Sequence, residues 1–341
     1  MSDSVSPFAY PDIFVDFSNY MQKTQRNLLN HWTNPFEFTM DSFFHLSELT
    51  HTAIDELVQS HADAYTYYLP RQTVKEKSPQ YRTGVLPGKD RTETGRVALV
   101  TGGIGGIGTE ICKQLYDDGH QVIATYISFE SEQANTWQSS HAKDGYEIDI
   151  IECDVTDFDS CKLMCKKVEA RYKHIDILVN CAGITRDATL RKMEPDNWHA
   201  VLDTNLDSVF NVTRNLVDNM IKRGYGRIIN ISSVNGQKGQ FGQTNYSTAK
   251  AGIIGFGKAL ALELANSGIT VNTVCPGYVG TSMVEAVPED IKNSIIAKIP
   301  MGRLAKPAEV ADAVVFLATE NAGYITGSEI SINGGLFTGV S

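Results

Sequence analysis

The most informative stretch for the fold of this chain is Arg96-Val-Ala-Leu-Val-Thr101, followed directly by Gly102-Gly-Ile-Gly-Gly106-Ile-Gly108. Its first part is a short apolar run that predicts a buried strand, and the residues from Thr109 to Asp118 predict an amphipathic helix that Gly119 closes. Glycines between a strand and a helix let the backbone approach a pyrophosphate, while the helix N-terminus supplies free N–H groups and a positive dipole. A glycine turn at this place therefore predicts a nucleotide site, although tight turns elsewhere also use glycine.

Apolar runs alternate with amphipathic stretches through the rest of the chain, which is the pattern of a parallel sheet covered by helices on both faces. This pattern predicts an α/β fold with a doubly wound, seven-stranded Rossmann-type sheet. In such a sheet the ligand crevice lies at the carboxyl ends of the strands. Strands are predicted at 96–101, 122–126, 147–153, 175–180, 226–231, 269–275 and 329–332.

Residues 1–70 differ in composition from the rest of the chain, because they are aromatic and lack glycine. Apolar residues recur at helical spacing before and after Asn34-Pro35, which predicts two amphipathic helices whose apolar faces need a partner. The partner is left open between the other helix, the main domain, another chain and a hydrophobic surface. Residues 71–94 are polar, rich in Lys and Arg and interrupted by Pro and Gly, which predicts a linker before a domain at 95–341.

Composition excludes several classes of protein. The formal net charge of -10 argues against nucleic-acid binding, which normally requires a basic stripe. The six cysteines occur without Cys-x-x-Cys pairs or clustered histidines, so neither a metal site nor a disulfide framework is predicted, and a reducing cytoplasm fits best. Cys161 and Cys165, one helical turn apart, are interpreted as helix packing. Neither a signal peptide nor a membrane span is expected.

A second stretch, Ser232 to Lys250, carries the candidate chemistry. In the helix that the following apolar run predicts, Tyr246 and Lys250 lie on one face, so a phenol and an ammonium project side by side. A fixed cation favours the phenolate and lowers the tyrosine pKa from about 10, which makes Tyr246 a candidate general acid. Ser233 follows a predicted strand that can hold its hydroxyl against the same reacting oxygen. A lone Tyr-x-x-x-Lys is also typical of an exposed helix pair, so the surrounding motifs matter.

Together these motifs resemble the short-chain dehydrogenase/reductase family over residues 95–341. The glycine turn is similar to its Thr-Gly-x-x-x-Gly-x-Gly cofactor loop, and Asn180 to Gly183 resembles its Asn-Asn-Ala-Gly motif, with Cys181 in place of the second asparagine. The resemblance implies a catalytic tetrad of Asn205, Ser233, Tyr246 and Lys250. It implies cofactor contacts from Gly102, Gly103, Gly106, Ile107, Gly108, Asp154, Val155, Asn180, Ala182, Gly183, Tyr246, Lys250, Pro276, Gly277 and Val279.

Within that family the stretch 232–250 is most similar to the acetoacetyl-CoA reductases of polyhydroxyalkanoate synthesis. This implies that a reduced nicotinamide delivers hydride to the β-keto carbon of an acyl-CoA while Tyr246 protonates the developing alkoxide. Ser233 then donates a hydrogen bond to that oxygen, and Lys250 lowers the tyrosine pKa and binds the nicotinamide ribose. In the family the asparagine at the place of Asn205 positions a water that relays protons to the lysine. The implied substrate contacts are Asp187, Gln240, Phe241, Gln243 and Tyr278.

Other functions stay open at this point. A 3-oxoacyl-carrier-protein reductase of fatty-acid synthesis has the same tetrad, and Arg186, Arg191 and Lys192 suit an acidic carrier protein as well as an anionic CoA. The stretch 240–244 is alternatively a plain polar loop. A scaffold or granule-binding protein with a retained reductase fold is the third function. We expect a cytoplasmic homotetramer and hypothesise that residues 1–70 contact a polymer granule or the polymerase.

The preference between nicotinamide cofactors is open on the residues alone. After the second strand an Asp normally selects NAD through the ribose 2′-hydroxyl, whereas Arg or Lys selects NADP through the 2′-phosphate. Here that place offers Ser128, Glu130 and Glu132, and Gly105 stands where many NADP-dependent relatives carry Arg. The carboxylates favour NAD(H), whereas the resemblance favours NADP(H), which we name first on that ground with NAD(H) nearly level.

Overall fold

A computed structural model describes residues 95–281 and 288–339 of the chain. The helices predicted within 1–70 and the linker at 71–94 lie outside the described residues. Within the described ranges, no helix is both long and apolar enough to cross a membrane.

Seven parallel strands form one sheet in the order β3-β2-β1-β4-β5-β6-β7, which confirms the predicted architecture. All seven predicted strands are present, and their ends agree with the prediction to within about two residues. The strands are β1 (Val97–Val100), β2 (Gln121–Tyr126), β3 (Asp149–Glu152), β4 (Ile177–Asn180), β5 (Gly226–Ile231), β6 (Ile269–Pro276) and β7 (Glu329–Ile332).

The strand order reverses at β1, which pairs with β2 on one side and with β4 on the other. Connections from strands on the two sides of such a point leave in opposite directions and open a crevice beyond the carboxyl ends. The glycine turn follows β1, so the chain order alone places this turn at the crevice.

Helices cover both faces of the sheet. They are α1 (Gly106–Asp117), α2 (Ser131–Lys143), α3 (Phe158–Tyr172), α4 (Pro195–Leu202), α5 (Ser208–Arg214), α6 (Val217–Arg223), α7 (Val234–Lys238), α8 (Thr244–Leu264), α9 (Glu289–Ile296) and α10 (Pro307–Ala318). Successive strand residues enter different cores: Ala98 and Val100 pack with α1 and α10, and Val97 and Leu99 pack with α3, α6 and α8. Burial on both faces explains why the strands read as continuous apolar runs.

Cys161 and Cys165 lie on the buried face of α3, which confirms their interpretation as helix packing. Their thiols belong to the core beside Met164 and Val168. All six cysteines are unpaired.

Helix α1 begins at Gly106, three residues before the predicted start at Thr109. A Cβ on Gly108 would lie 2.3 Å from the carbonyl oxygen of Gly102, so the first helical turn packs directly on the strand exit. Gly102 itself has φ +60°, in the left-handed region that favours glycine. The sequence pattern missed this first turn because glycine has a low helix propensity. Close backbone packing outweighs that propensity here.

Candidate active site

A cleft of about 670 Å³ lies at the carboxyl ends of the strands. The glycine turn forms one wall, and the carboxyl end of β2 and the segments that follow β2, β3, β4, β5 and β6 form the others. The structure thereby brings together residues that are far apart in the chain. Of the predicted residues, those lining the cleft are Gly102, Gly106, Ile107, Gly108, Asp154, Val155, Ala182, Gly183, Ser233, Tyr246, Lys250, Pro276 and Gly277.

Three predicted cofactor residues lie behind the cleft wall. A Cβ on Gly103 would come within 2.6 Å of the Ala124 Cβ, so this glycine lets the turn rest on β2. The buried Asn180 amide donates to the Thr213 hydroxyl at 3.2 Å and to Asn230 Oδ1 at 2.9 Å, which ties β4 to β5. Val279 is buried, and its backbone pairs with that of Ala305. In this arrangement all three support the wall from outside the cleft.

The three reactive side chains of the predicted tetrad converge on the cleft from two elements. Ser233 caps α7 directly after β5, and Tyr246 and Lys250 project from the first two turns of α8. The Lys250 ammonium donates to the Ile231 carbonyl at 2.9 Å and lies 5.7 Å from the centroid of the Tyr246 ring. The Ser232 hydroxyl donates to the Lys250 carbonyl at 2.7 Å, which fastens the end of β5 to α8.

The pKa of Tyr246 is raised above its ordinary value, chiefly because the phenol is buried. The hydrogen bond with Ser233 acts in the opposite direction, and the charge of Asp187 raises the pKa further. We predicted a lowered pKa for Tyr246; the pKa of the protein alone is instead raised, because burial outweighs the hydrogen bond with Ser233. The phenol therefore holds its proton at neutral pH, which is the form a general acid requires.

Burial acts on the lysine as well. The Lys250 side chain is 4% exposed, and burial lowers its pKa to about 8. The nearby thiols of Cys181 and Cys275 oppose this shift. Near neutral pH the ammonium is thus charged but close to its titration point.

Asn205 lies on a π-helical turn, Asp203–Asp207, between α4 and α5. Its Oδ1 accepts from the Ile184 N–H and its Nδ2 donates to the Ile184 carbonyl, both at 2.8 Å. A Cβ on Gly183 would lie 2.6 Å from Asn205 Oδ1 and 3.5 Å from Lys250 Nζ, so the three residues adjoin. Asn205 has no exposed surface and anchors the segment after β4 beside the lysine. π-Turns of this kind occur frequently at functional sites.

The five predicted substrate residues lie at the rim, outside the set that lines the cleft. Gln243 Nε2 donates to Asp187 Oδ2 at 2.8 Å, and the Ala188 N–H donates to the Gly242 carbonyl at 2.9 Å. Phe241 is 86% exposed at the tip of this loop, next to the exposed Gln240. Tyr278 is half-buried, and burial and the Asp187 charge both raise its pKa. The loop at 240–243 is therefore fixed to the segment after β4.

The segment after β2 forms the other end of the cleft, where Tyr126, Ile127, Phe129 and Glu130 line it. Of the three polar residues predicted here, Glu130 lines the cleft, whereas Ser128 and Glu132 do not. Among the described residues that line the cleft, the Lys and Arg side chains are Arg186 and Lys250, which belong to segments after β4 and β5. Among the described residues, no Lys or Arg of the segment after β2 therefore lines the cleft beside the Glu130 carboxylate.

Sequence reasoning missed two residues that hold segments of the site in place. The Thr125 hydroxyl accepts from the Gly102 N–H at 3.2 Å and so holds the glycine turn onto β2. Asn245 Oδ1 accepts from the Tyr246 N–H at 2.8 Å, while its Nδ2 donates to the Arg186 carbonyl at 3.0 Å. The available signals were a threonine near the carboxyl end of a buried strand and an asparagine in the first turn of a helix.

A second cavity, of about 490 Å³, lies along β3 and α3. The Asp149 carboxylate there accepts hydrogen bonds from the Tyr172 hydroxyl and from Gln121 Nε2, and it pairs with the Arg171 guanidinium at 3.3 Å. Because these groups partner one another, we interpret them as structural contacts that fasten α3 and β2 to the edge strand β3.

Comparison with known proteins agrees with this geometry. A family model described as enoyl-(acyl carrier protein) reductase matches residues 102–337. The chain belongs to the short-chain dehydrogenase/reductase family, as the motifs predicted, and is an NAD(P)H-dependent oxidoreductase.

Similar proteins include two acetoacetyl-CoA reductases. The one from Allochromatium vinosum is 55% identical over 71% of this chain and 98% of its own length. The one from Cupriavidus necator is 51% identical over 72% of this chain and 100% of its own length. A 3-oxoacyl-acyl-carrier-protein reductase from Haemophilus influenzae is 42% identical over 71% of this chain and 98% of its own length.

Proposed function

We propose that this chain is an acetoacetyl-CoA reductase, which reduces a 3-oxoacyl-CoA to the (R)-3-hydroxyacyl-CoA. The observation that carries the proposal is that the glycine turn and the Ser233, Tyr246 and Lys250 side chains line one cleft. Identity of 55% to a reductase of that name supports the thioester substrate.

The cleft fits a nicotinamide dinucleotide. Gly102, Gly106 and Gly108 line the cleft without side chains, so main chain borders it there. Cβ atoms on Gly102 and Gly108 would collide with neighbouring backbone, so only glycine allows the turn to pack this closely. Helix α1 begins there, and its N–H groups and dipole suit a pyrophosphate. When bound, the reduced nicotinamide supplies the hydride.

The chain's own residues manage the oxygen and its proton. Tyr246, protonated because burial raises its pKa, gives its proton to the carbonyl oxygen of the substrate. Ser233 Oγ accepts the Asn235 N–H at 3.1 Å, so its own proton is left to donate to the Tyr246 phenol and, once substrate is bound, to the same carbonyl oxygen. Lys250 places a positive charge beside the phenol as it becomes phenolate.

For the cofactor we propose a preference for NAD(H). Glu130 is the acidic residue of its segment that lines the cleft, and no lysine or arginine among the described residues of that segment accompanies it. A carboxylate accepts a hydrogen bond from the ribose 2′-hydroxyl, whereas it repels a 2′-phosphate. This electrostatic argument opposes the preference for NADP(H) that the resemblance implied.

The experiment that tests the substrate is a comparison of initial rates with acetoacetyl-CoA and with acetoacetyl-carrier protein, each with NADH and NADPH. We expect the higher kcat/KM with acetoacetyl-CoA and the (R) alcohol as product. A clear excess of activity on the carrier-protein thioester would assign the chain to the fatty-acid reductases instead.

The wider setting also belongs to this proposal. We place the reaction in polyhydroxybutyrate synthesis, in a cytoplasmic homotetramer. The relatives align over nearly their whole length but over only 71 to 72% of this chain, so they offer no equivalent of its remainder. We propose that residues 1–70 are an added module that brings the reductase to a polymer granule or to the polymerase.

A further inference from the structure

Asn235 is a buried residue of α7 that connects two parts of the site. Its backbone N–H donates to Ser233 Oγ at 3.1 Å, and its side-chain Nδ2 donates to Gln243 Oε1 at 2.9 Å. Gln243 in turn donates from Nε2 to Asp187 Oδ2 at 2.8 Å. One line of hydrogen bonds therefore runs from the serine in the cleft to the carboxylate at the rim.

The direction of this line is fixed by its acidic end. An ionised carboxylate only accepts, so Gln243 must turn its NH2 group toward Asp187 and its oxygen toward Asn235. Asn235 must then present its own NH2 group to Gln243. Neither amide can rotate by half a turn without placing two acceptors against each other, so the carboxylate orients both side chains.

The fold gains little from the rest of the Asn235 side chain. Its Oδ1 is buried and has no hydrogen-bond partner in the described part of the chain. A buried acceptor without a partner lowers stability. The Asn235 amide is therefore better explained by the hydrogen bond from its Nδ2 to Gln243 than by a contribution to folding.

The line of hydrogen bonds ends at Asp187, whose charge acts on the proposed acid Tyr246. Asp187 stands next to Ala188, whose N–H is held by the Gly242 carbonyl, and the Arg186 carbonyl is held by Asn245. The charge of Asp187 raises the pKa of both Tyr246 and Tyr278. A carboxylate fixed at this rim helps to keep the acid protonated.

We propose that Asn235 is a positioning residue for ketone reduction: its side-chain amide holds Gln243 in the orientation that faces Asp187 at the rim, while its backbone N–H holds Ser233 Oγ. This inference rests on the proposed function. Asn235 acts through Ser233 and Gln243 and does not itself contact the substrate oxygen.

The first test is Asn235→Leu, which removes the amide but keeps the side-chain size. We expect kcat to fall about 10- to 100-fold, as for a lost hydrogen bond to a charged network, with cofactor KM within about two-fold and an unchanged or higher Tm. The matched control is Asn219→Leu, which removes two hydrogen bonds to Glu169, of 2.8 and 2.9 Å, outside the cleft and should leave kcat unchanged. Unchanged kcat in Asn235→Leu, or a fall accompanied by a lower Tm, overturns the proposal.

The second test moves the charge along the line. Gln243→Glu sets two carboxylates against each other and should lower kcat, whereas Gln243→Glu combined with Asp187→Asn restores a donor facing an acceptor at both links. We expect the double variant to recover at least about ten-fold of the loss. A double variant no better than Gln243→Glu overturns the network.

Each assay uses acetoacetyl-CoA and, in parallel, a small β-keto ester. If the ester is reduced and the thioester is not, the proposed substrate is wrong, and the variants are judged on the ester. If the unaltered enzyme reduces neither, the proposed function and this inference both fall.

Discussion

The Lys250 ammonium donates its hydrogen bond to the Ile231 carbonyl at 2.9 Å, while the centroid of the Tyr246 ring lies 5.7 Å away. The two side chains share a helix face, as their spacing predicts, but the lysine is held by the backbone at the end of β5 rather than by the phenol. The charge of the lysine is therefore buried against that strand end. This arrangement has consequences that can be measured.

Replacing Tyr246 with Phe removes the proposed acid and leaves the ring. We expect kcat to fall by at least about 100-fold, with the affinity for the nicotinamide cofactor close to normal. Steady-state kinetics and cofactor titration by fluorescence measure the two effects. Tyr324→Phe, at a fully exposed tyrosine, is the control. If the turnover of Tyr246→Phe stays within a few-fold of the parent, Tyr246 is not the general acid.

The pH profile follows from the pKa of Lys250. This pKa is lowered to about 8, so the ammonium is charged below that pH and neutral above it. Because the charge supports proton loss from Tyr246, we expect kcat/KM for reduction to fall as the pH rises through about 8. A profile that stays flat from pH 7 to 9 contradicts this role.

Lys250→Met is expected to stabilise the protein while it abolishes activity. The pKa of the folded state, about 8, lies below the ordinary value of 10.5, so burying the charge costs free energy of folding at every pH below 8. That penalty is on the order of 3 kcal/mol, from which about 1 kcal/mol is subtracted for the lost hydrogen bond to Ile231.

The sign of this effect depends on pH. The penalty disappears as the pH rises from about 8 to 10.5, because the lysine loses its proton in both states. Urea unfolding at pH 7 and pH 10 should therefore show a larger advantage of Lys250→Met at pH 7. An advantage that grows with pH would show that burial of charge is not the cause.

Cofactor preference is tested by Glu130→Arg. An arginine at this position pairs with a 2′-phosphate, so we expect the ratio of kcat/KM values to shift toward NADPH by at least about ten-fold. Glu132→Arg, which makes the same change of charge at an exposed residue outside the cleft, should shift it far less. Equal shifts in the two variants would mean that only net charge matters.

Residues 1–94 are expected to be dispensable for catalysis, because the family match begins at residue 102. A chain that begins at residue 95 should keep kcat/KM within about two-fold. In polymer-accumulating cells, a fluorescent fusion of the full chain should collect on granules and the truncated fusion should stay diffuse. Equal distribution of the two fusions argues against granule docking, and loss of Tm or dissociation on truncation favours a role in the oligomer.

Local patterns in the sequence were enough to predict the sheet, the glycine turn and the reactive residues. Buried parallel strands must be apolar on both faces, so each appears as a local run, and the turn after β1 needs glycine because α1 packs on it directly. The spacing of Tyr246 and Lys250 determined that they share a helix face. These features depend on residues that are close together in the chain, so local sequence patterns predict them.

The pKa values and hydrogen-bond partners of these residues depend on the folded structure. The pKa of Tyr246 rises although a lysine lies on the same helix face, because burial by surrounding segments outweighs the pattern. Gly103, Asn180 and Val279 lie behind the cleft wall. Asn235 joins Ser233 to Gln243. Both arrangements depend on contacts at the carboxyl edge of the sheet. Burial and hydrogen-bond direction are properties of residues that meet only after folding, so no local pattern in the sequence carries them.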